Sequence, residues 1–162
     1  MRTILIVLST SRYSEEMVDR AMTEAERRRS AGEPVSIEVV YVIETGELNE
    51  IYRSVGEVGF LGTRAQKEVI DTLAAEYHRT ARERMGIIAD RAREGGFETK
   101  TTEREGAFVQ VIHELAETER FDVIYLTRAE RPFISRFLFG SKCETVARLV
   151  REEGLSEVVI GD

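Results

Sequence analysis

The sequence has little cysteine and histidine, and this scarcity excludes two kinds of small protein. Its 162 residues contain 1 Cys, which is Cys143, and 2 His, which are His78 and His113. A single cysteine cannot form an intramolecular disulfide, so a disulfide framework is excluded. The three side chains are also too few for a zinc site with the usual ligand spacing. We therefore expect an intracellular protein that requires no metal and no tightly bound cofactor.

Long apolar runs and an excess of positive charge are absent as well. No apolar run approaches the roughly 20 residues that a membrane-spanning helix needs, and the stretch after Met1 is too short for a signal peptide. Asp and Glu number 30 against 23 Lys and Arg, which gives a net charge of -7. A negative surface repels a phosphate backbone. These absences predict a cytoplasmic protein without a membrane or nucleic-acid partner.

Short runs of consecutive apolar residues are what the sequence has instead. They cover residues 4–8, 39–43, 123–126 and 158–160, and they are typical of strands buried on both faces of a parallel sheet. A fifth segment, 97–104, alternates threonine with charge and suits an exposed edge strand.

Helical periodicity separates these strands. Ser14 can cap a first helix that has acidic residues in its first turn and arginines in its last. Thr63 and Gln66 have capping-box spacing at the start of a long helix. The helices after the first are predicted over residues 64–94, 107–119 and 141–153.

The order of these elements predicts a three-layer, doubly wound α/β fold with five parallel strands, because right-handed crossovers place helices on both faces of the sheet. No linker or internal repeat interrupts the chain, so we expect one domain over residues 1–162. Segment 44–62 is predicted to be irregular, with one turn of helix near 48–53. A loop of that length is usually a lid, an interface or disordered.

A ligand site is expected at one edge of this sheet. In open α/β sheets, ligands bind beyond the carboxyl ends of the strands, where the strand order reverses. Segments 9–12 and 127–131 follow the first and fourth strands, and Gly140 and Ser141 begin the last helix. The backbone N–H groups and positive dipole end of that helix can hold an anion. The alternative is that Ser141 only caps the helix.

Three segments of the chain resemble the universal stress protein family. They are the entry into the first helix at 4–11, the lead into the third helix at 104–106, and the segment 137–141 before the last helix. The resemblance covers essentially the whole length. It implies the strand order 3-2-1-4-5, a Rossmann-like fold of the adenine nucleotide alpha hydrolase kind, and a regulatory or stress-response role.

Nucleotide-binding members of this family carry G-x-x-G, nine residues and then G-[ST] after the fourth strand. Gly140 and Ser141 match the final pair and residues 131–139 match the spacer, but the earlier glycine positions fall on Thr127 and Glu130. Glycine lets the backbone approach a phosphate closely, which a side chain obstructs. The carboxylate of Glu130 also repels a triphosphate. We therefore predict that the ATP site is impaired.

The family pattern also has an acidic residue at the end of the first strand and a valine near the end of the second. These positions fall on Ser9 and Val42, and a serine hydroxyl offers fewer acceptor sites than a carboxylate. The candidate ligands are ATP, AMP or a small anion such as phosphate or sulfate. The candidate ligand-binding residues are Ser9, Thr10, Val42, Thr127, Arg128, Arg131, Gly140 and Ser141.

The segment after the fourth strand allows more than one interpretation. Its basic side chains have three interpretations: they belong to a solvated loop, they form a phosphate clamp, or they form a patch for an acidic partner. They are Arg128, Arg131, Arg136 and Lys142. The aromatic side chains of Phe133 and Phe137 either pack against the neighbouring helix or form a hydrophobic partner site.

Three classes of function follow, namely a nucleotide-binding sensor, a protein-interaction module and an enzyme such as a weak nucleotide hydrolase. We expect binding rather than turnover, because no activated group stands in a supporting motif. His78 and His113 are predicted to be surface or hydrogen-bonded histidines, and Cys143 a small buried core residue. No catalytic or metal-ligating residue is predicted.

The last strand predicts the oligomeric state. Val158, Val159 and Ile160 are apolar, and the resemblance places this strand at an edge of the sheet. An apolar edge strand without Lys or Pro invites pairing with another chain. The resemblance implies a homodimer through this strand, antiparallel and two-fold symmetric.

Overall fold

The computed structural model describes residues 1–57, 62–129 and 142–162. Within these ranges five strands form one sheet in the order β3-β2-β1-β4-β5, and every neighbouring pair is parallel. The strands are β1 (Arg2–Ser9), β2 (Val35–Glu44), β3 (Glu98–Gly106), β4 (Val123–Thr127) and β5 (Glu157–Gly161). The predicted fold class and strand order are confirmed.

The helices cover both faces of the sheet. They are α1 (Glu15–Ser30), α2 (Thr45–Glu57), α3 (Thr63–Glu94), α4 (Phe108–Thr118) and α5 (Lys142–Glu152). α1 and α3 pack on one face, whereas α4 and α5 pack on the other. No helix of the described ranges has both the length and the apolar content that crossing a membrane requires.

The central strands are largely apolar because both of their faces are buried. Ile4, Ile6 and Leu8 of β1 contact the layer of α1 and α3, whereas Leu5 and Val7 contact the layer of α4 and α5. This is the period of two that a pleated strand imposes. The core therefore has two apolar layers, one on each side of the sheet.

β3 lies at an edge of the sheet, as predicted. Most of its side chains are exposed or half-buried, in contrast to β1, β2 and β4. Its threonines and charged residues suit this position, because charge on an edge strand opposes pairing with another chain.

The prediction that 44–62 is irregular is wrong. Residues Thr45–Glu57 form α2, and 58–61 lie outside the described residues. Leu48 and Val55 are buried and stand two helical turns apart, which anchors one face of this helix. The glycines of this segment, Gly46 and Gly56 among them, led to the prediction of a loop. A helix tolerates isolated glycines, however, when packing stabilises it.

The helix starts follow the sequence in α1 but not in α3. Ser14 caps α1, since its hydroxyl accepts a hydrogen bond from the Met17 N–H at 3.3 Å. The capping box predicted for α3 does not form. Gly62 is the N-cap, and its carbonyl accepts from the Gln66 N–H at 3.0 Å, so Thr63 already lies inside the helix.

The first half of α3 extends beyond the apolar core. Its buried residues all lie in its second half and are Ala81, Met85, Ile88, Ala89 and Ala92. Val69, in the first half, is 38% exposed. The predicted apolar series therefore contacts the core from Tyr77 onward, and Tyr77 itself is half-buried against that core. α2 also packs against α3.

Polar residues end three neighbouring strands at the same edge of the sheet. Ser9 ends β1, Glu44 ends β2 and Thr127 ends β4, and all three are buried within a mainly apolar core. A buried polar group is costly unless it has a partner. In the described structure these three buried polar residues therefore lie at the carboxyl edge of the sheet, which is the edge expected to bind a ligand.

Candidate functional site

A tight turn at the end of β1 directs Arg12 into the protein. The Ser9 N–H donates to the Arg12 carbonyl at 3.0 Å, and the Arg12 N–H donates to the Ser9 carbonyl at 3.2 Å. α1 starts directly afterwards at its Ser14 cap. The turn and the helix cap fix the two ends of this loop, and the Arg12 side chain between them is only 3% exposed.

The Arg12 guanidinium contacts three elements at once. Its Cζ lies 4.1 Å from the centre of the Phe108 ring, at the start of α4. Its Nη1 donates to the Thr127 carbonyl at the end of β4 and to the Cys143 sulfur in the first turn of α5, both at 3.4 Å. Stacking on an aromatic face is favourable for a guanidinium, more so when water is excluded.

Glu44 supplies the negative charge of this cluster. Its Oε2 lies 3.5 Å from Arg12 Nε and accepts hydrogen bonds from the hydroxyls of Ser9 at 3.2 Å and Ser11 at 3.5 Å. Its Oε1 accepts from Lys142 Nζ at 2.9 Å. One buried carboxylate therefore joins the turn after β1, the end of β2 and the start of α5.

The surroundings of Glu44 keep it ionised. Burial by itself would raise the pKa of this carboxyl. The hydrogen bond from Lys142, the charges of Arg12 and Lys142 and the hydrogen bond from Ser9 outweigh burial, and they lower the pKa below its ordinary value. At neutral pH the cluster therefore contains one carboxylate and two cations.

Three of the predicted ligand-binding residues meet at this cluster. Ser9 and Val42 are partners in the register of β1 and β2, and Val42 is fully buried beneath α4. The Thr127 carbonyl accepts from Arg12. Thr10 lies toward α3 instead, because its carbonyl accepts from Arg84 Nη1 at 3.4 Å.

The other predicted residues lie elsewhere or outside the described residues. Arg128 pairs with Glu144 at 2.9 Å and Asp162 at 3.5 Å, and its hydrogen bond with Glu144 raises the pKa of the guanidinium. Among the four basic side chains predicted in the segment after β4, Lys142 forms an ion pair with Glu44. Those outside the described residues are Glu130, Arg131, Phe133, Arg136, Phe137, Gly140 and Ser141.

Sequence reasoning missed the pair at the centre of the site. The acidic position was assigned to Ser9, whereas the structure supplies the carboxylate from Glu44 and lets Ser9 donate to it. A signal was available, because a charged residue directly after a buried apolar run requires a partner. Nothing in the periodicity pointed to Arg12 as that partner.

The predictions for cysteine and histidine are confirmed. Cys143 is fully buried and packs with the layer of α4 and α5. His78 pairs with Glu103, and His113 Nε2 lies 2.9 Å from Glu153. The hydrogen bond to Glu153 raises the pKa of His113.

We predict that Glu44→Gln destabilises the protein in a pH-dependent way. The substitution preserves shape but leaves the buried Arg12 without its counter-charge, and removing one partner of a buried pair costs about 3 kcal/mol or more. Folding lowers the pKa of Glu44, so its contribution is present above the unfolded pKa of about 4.3 and is lost as pH falls through the folded pKa. Urea unfolding from neutral to acidic pH measures the difference.

The matched control is Glu68→Gln, since Glu68 forms only an exposed pair with Arg64. Its free energy of unfolding should change by less than about 0.5 kcal/mol. Equal stability of the two variants at pH 7, or a difference that does not shrink in acid, would contradict the assignment of Glu44.

Comparisons with known proteins agree on one family. The profile of the Universal stress protein family, Usp, matches residues 1–151. A comparison with curated protein sequences gives no match.

Solved structures with this fold cover nearly the whole chain. Hypothetical protein MJ0577 has a TM-score of 0.65 at 17% identity, covering 98% of this chain and 94% of its own. A universal stress protein in complex with cAMP has a TM-score of 0.58 at 19% identity, covering 99% and 95%. UspA from Lactobacillus plantarum has a TM-score of 0.57 at 14% identity, covering 99% and 97%. These likenesses show the fold, and the profile match over residues 1–151 shows that the chain belongs to the universal stress protein family.

Proposed function

We propose that this protein is a cytoplasmic stress-response regulator that acts by binding, and that its cleft does not hold ATP tightly. The observation that carries the proposal is the position of Arg12. Its guanidinium is buried at the carboxyl ends of β1 and β4, which is where the strand order reverses and a ligand is expected.

The groups around this position suit a cation better than a triphosphate. Glu44 is a buried carboxylate, the Thr127 carbonyl is an acceptor, and the Phe108 ring presents its negative face. A phosphate placed here displaces Arg12 and then faces the Glu44 carboxylate, whose remaining counter-charge among the described residues is Lys142. Thr127, at the first glycine position of the family motif, also fills space with a buried side chain.

A second candidate function is a sensor for a smaller nucleotide, such as AMP or a cyclic nucleotide. The related universal stress protein in complex with cAMP favours it. A single phosphate also carries less charge than a triphosphate. Lys142, whose side chain is 44% exposed, offers an ammonium group for it at this edge.

The charges of the site favour binding over turnover. A general base works best with a pKa near the operating pH, whereas the pKa of Glu44 is lowered by Lys142 and Arg12. A weak nucleotide hydrolase is the alternative, and phosphate release from ATP over hours tests it.

We predict that ATP binds with a dissociation constant weaker than about 10 µM. The two replaced glycines remove close backbone hydrogen bonds worth about 1.5 to 3 kcal/mol each, which amounts to roughly two to four decades in affinity. Calorimetric titration with ATP, AMP and cAMP measures this, with inorganic phosphate as the control for charge alone. Tighter binding of ATP contradicts the proposal, and micromolar binding of AMP or cAMP alone supports the second candidate.

We also propose that the protein forms a homodimer through β5. This strand lies at the edge of the sheet next to β4. Val159 and Ile160 are half-buried and contact opposite layers of the core, so both faces of the edge present apolar surface. Antiparallel pairing with a second copy covers that surface and satisfies the edge backbone.

Sedimentation tests this proposal at micromolar concentration. We predict a species of twice the chain mass of 18.4 kDa, and Val159→Lys should shift it toward the monomer because charge blocks an edge. The control is Thr101→Lys on β3, the opposite edge, which should leave the mass unchanged. A wild-type monomer, or equal effects of both substitutions, contradicts the proposal.

A further inference from the structure

The slot that holds the Arg12 guanidinium is lined by groups that accept rather than donate toward it. Thr127 presents its carbonyl, Cys143 its sulfur and Glu44 a carboxylate oxygen. Phe108 closes one side with its ring face, 4.1 Å from the guanidinium carbon. A planar, donor-rich cation fits such a lining, because it can stack and donate in its own plane.

The fit of Arg12 to this slot is incomplete. Its Nε is buried without a hydrogen-bond partner and lies 3.5 Å from Glu44 Oε2, within ion-pair range only. The Nη1 contact with the Thr127 carbonyl, at 3.4 Å, is longer than the 2.7–3.2 Å of ordinary N–H···O bonds. A buried donor left unsatisfied has a free-energy cost. The side chain therefore occupies the slot under the constraint of the turn that carries it.

We propose that this slot is a guanidinium-binding site whose resident ligand is the chain's own Arg12. The inference rests on the proposed role of this edge as the ligand cleft and gives the chemical class for which the slot is built, a planar cation with several N–H donors, which in wild type is the Arg12 side chain. Arg12 supplies that group from within the molecule and so keeps nucleotides out. The Glu44 carboxylate favours a positively charged ligand in this slot, and the ring face of Phe108 favours a planar one.

Chemical rescue tests the proposal directly. Arg12→Ala vacates the slot and leaves its lining intact, so free methylguanidinium should bind there. At about 10 mM, and with a dissociation constant near 1 mM, it should raise the Tm of this variant by about 3 to 6 °C. Methylammonium at the same concentration has the same charge without the planar group and should not. Wild type, whose slot is filled, should show no such difference.

The matched control is Arg84→Ala. Arg84 lies near the same edge, 5.1 Å from the Tyr13 ring centre, and donates to the Thr10 carbonyl, but it fills no comparable slot. No difference between the two cations is expected for this variant. An equal effect of methylguanidinium on Arg12→Ala, Arg84→Ala and wild type, or no effect on Arg12→Ala, overturns the proposal.

Failure of Arg12→Ala to fold does not prevent the test. Refolding from urea is then carried out with either cation, and the far-ultraviolet circular dichroism signal should return with methylguanidinium only. Recovery with neither cation, or with both, overturns the proposal. Tight ATP binding by wild type would instead contradict the proposed function and the exclusion of nucleotides by Arg12, whereas a successful rescue would still identify the slot as a guanidinium-binding site.

Discussion

The carboxyl edge of the sheet depends on one ion pair, Arg12 with Glu44, buried where three strands end. A buried pair contributes little net stability compared with apolar side chains, but loss of Glu44 leaves the Arg12 charge unpaired in the interior, and loss of Arg12 leaves Glu44 with Lys142 alone. The pair therefore restricts how this edge can be arranged. The turn after β1, the end of β2 and the first turn of α5 are all tied to it through Ser9, Glu44 and Lys142.

A second buried carboxylate, that of Glu38, provides a comparison for the pKa of Glu44. Glu38 also lies on β2 but contacts Lys100 Nζ at 3.1 Å, and Lys100 also binds Glu119 at 3.0 Å. Burial raises the pKa of Glu38, helped by the nearby charge of Glu119. Glu44 has two cations and no competing carboxylate among its described contacts, so its pKa moves down instead. At Glu38 burial outweighs the one shared lysine, whereas at Glu44 the hydrogen bond and charges of Lys142, with Arg12, outweigh burial.

The sequence predicted the fold well because the fold depends on periodic, local signals. Continuous apolar runs indicated a sheet covered on both faces, and the polar segment 97–104 indicated an edge strand. Segment 44–62 was misjudged because glycine is only a weak signal. Gly46 and Gly56 lie within α2, where the burial of Leu48 and Val55 outweighs the cost of glycine in a helix.

The location of the candidate site followed from topology, but its chemistry did not. The rule on reversal of strand order indicates the carboxyl ends of β1 and β4, where Arg12 contacts the Thr127 carbonyl, and ligand binding at this edge stays a prediction. The pairing of Arg12 with Glu44 joins two distant segments, and neither residue belongs to a repeating pattern. Such contacts are defined by the turn geometry after β1 and by the register of β1 on β2, which the sequence does not show residue by residue.

The most direct test of this account is a double-mutant cycle between Arg12→Met and Glu44→Gln, with free energies of unfolding measured in urea at pH 7. Both substitutions remove charge while keeping much of the side-chain volume. The account predicts a coupling energy of about 2 kcal/mol or more, because Glu44→Gln leaves the buried Arg12 without a counter-charge and Arg12→Met leaves Glu44 with Lys142 alone, whereas the double variant contains neither buried charge. Additive effects within about 0.5 kcal/mol would contradict it.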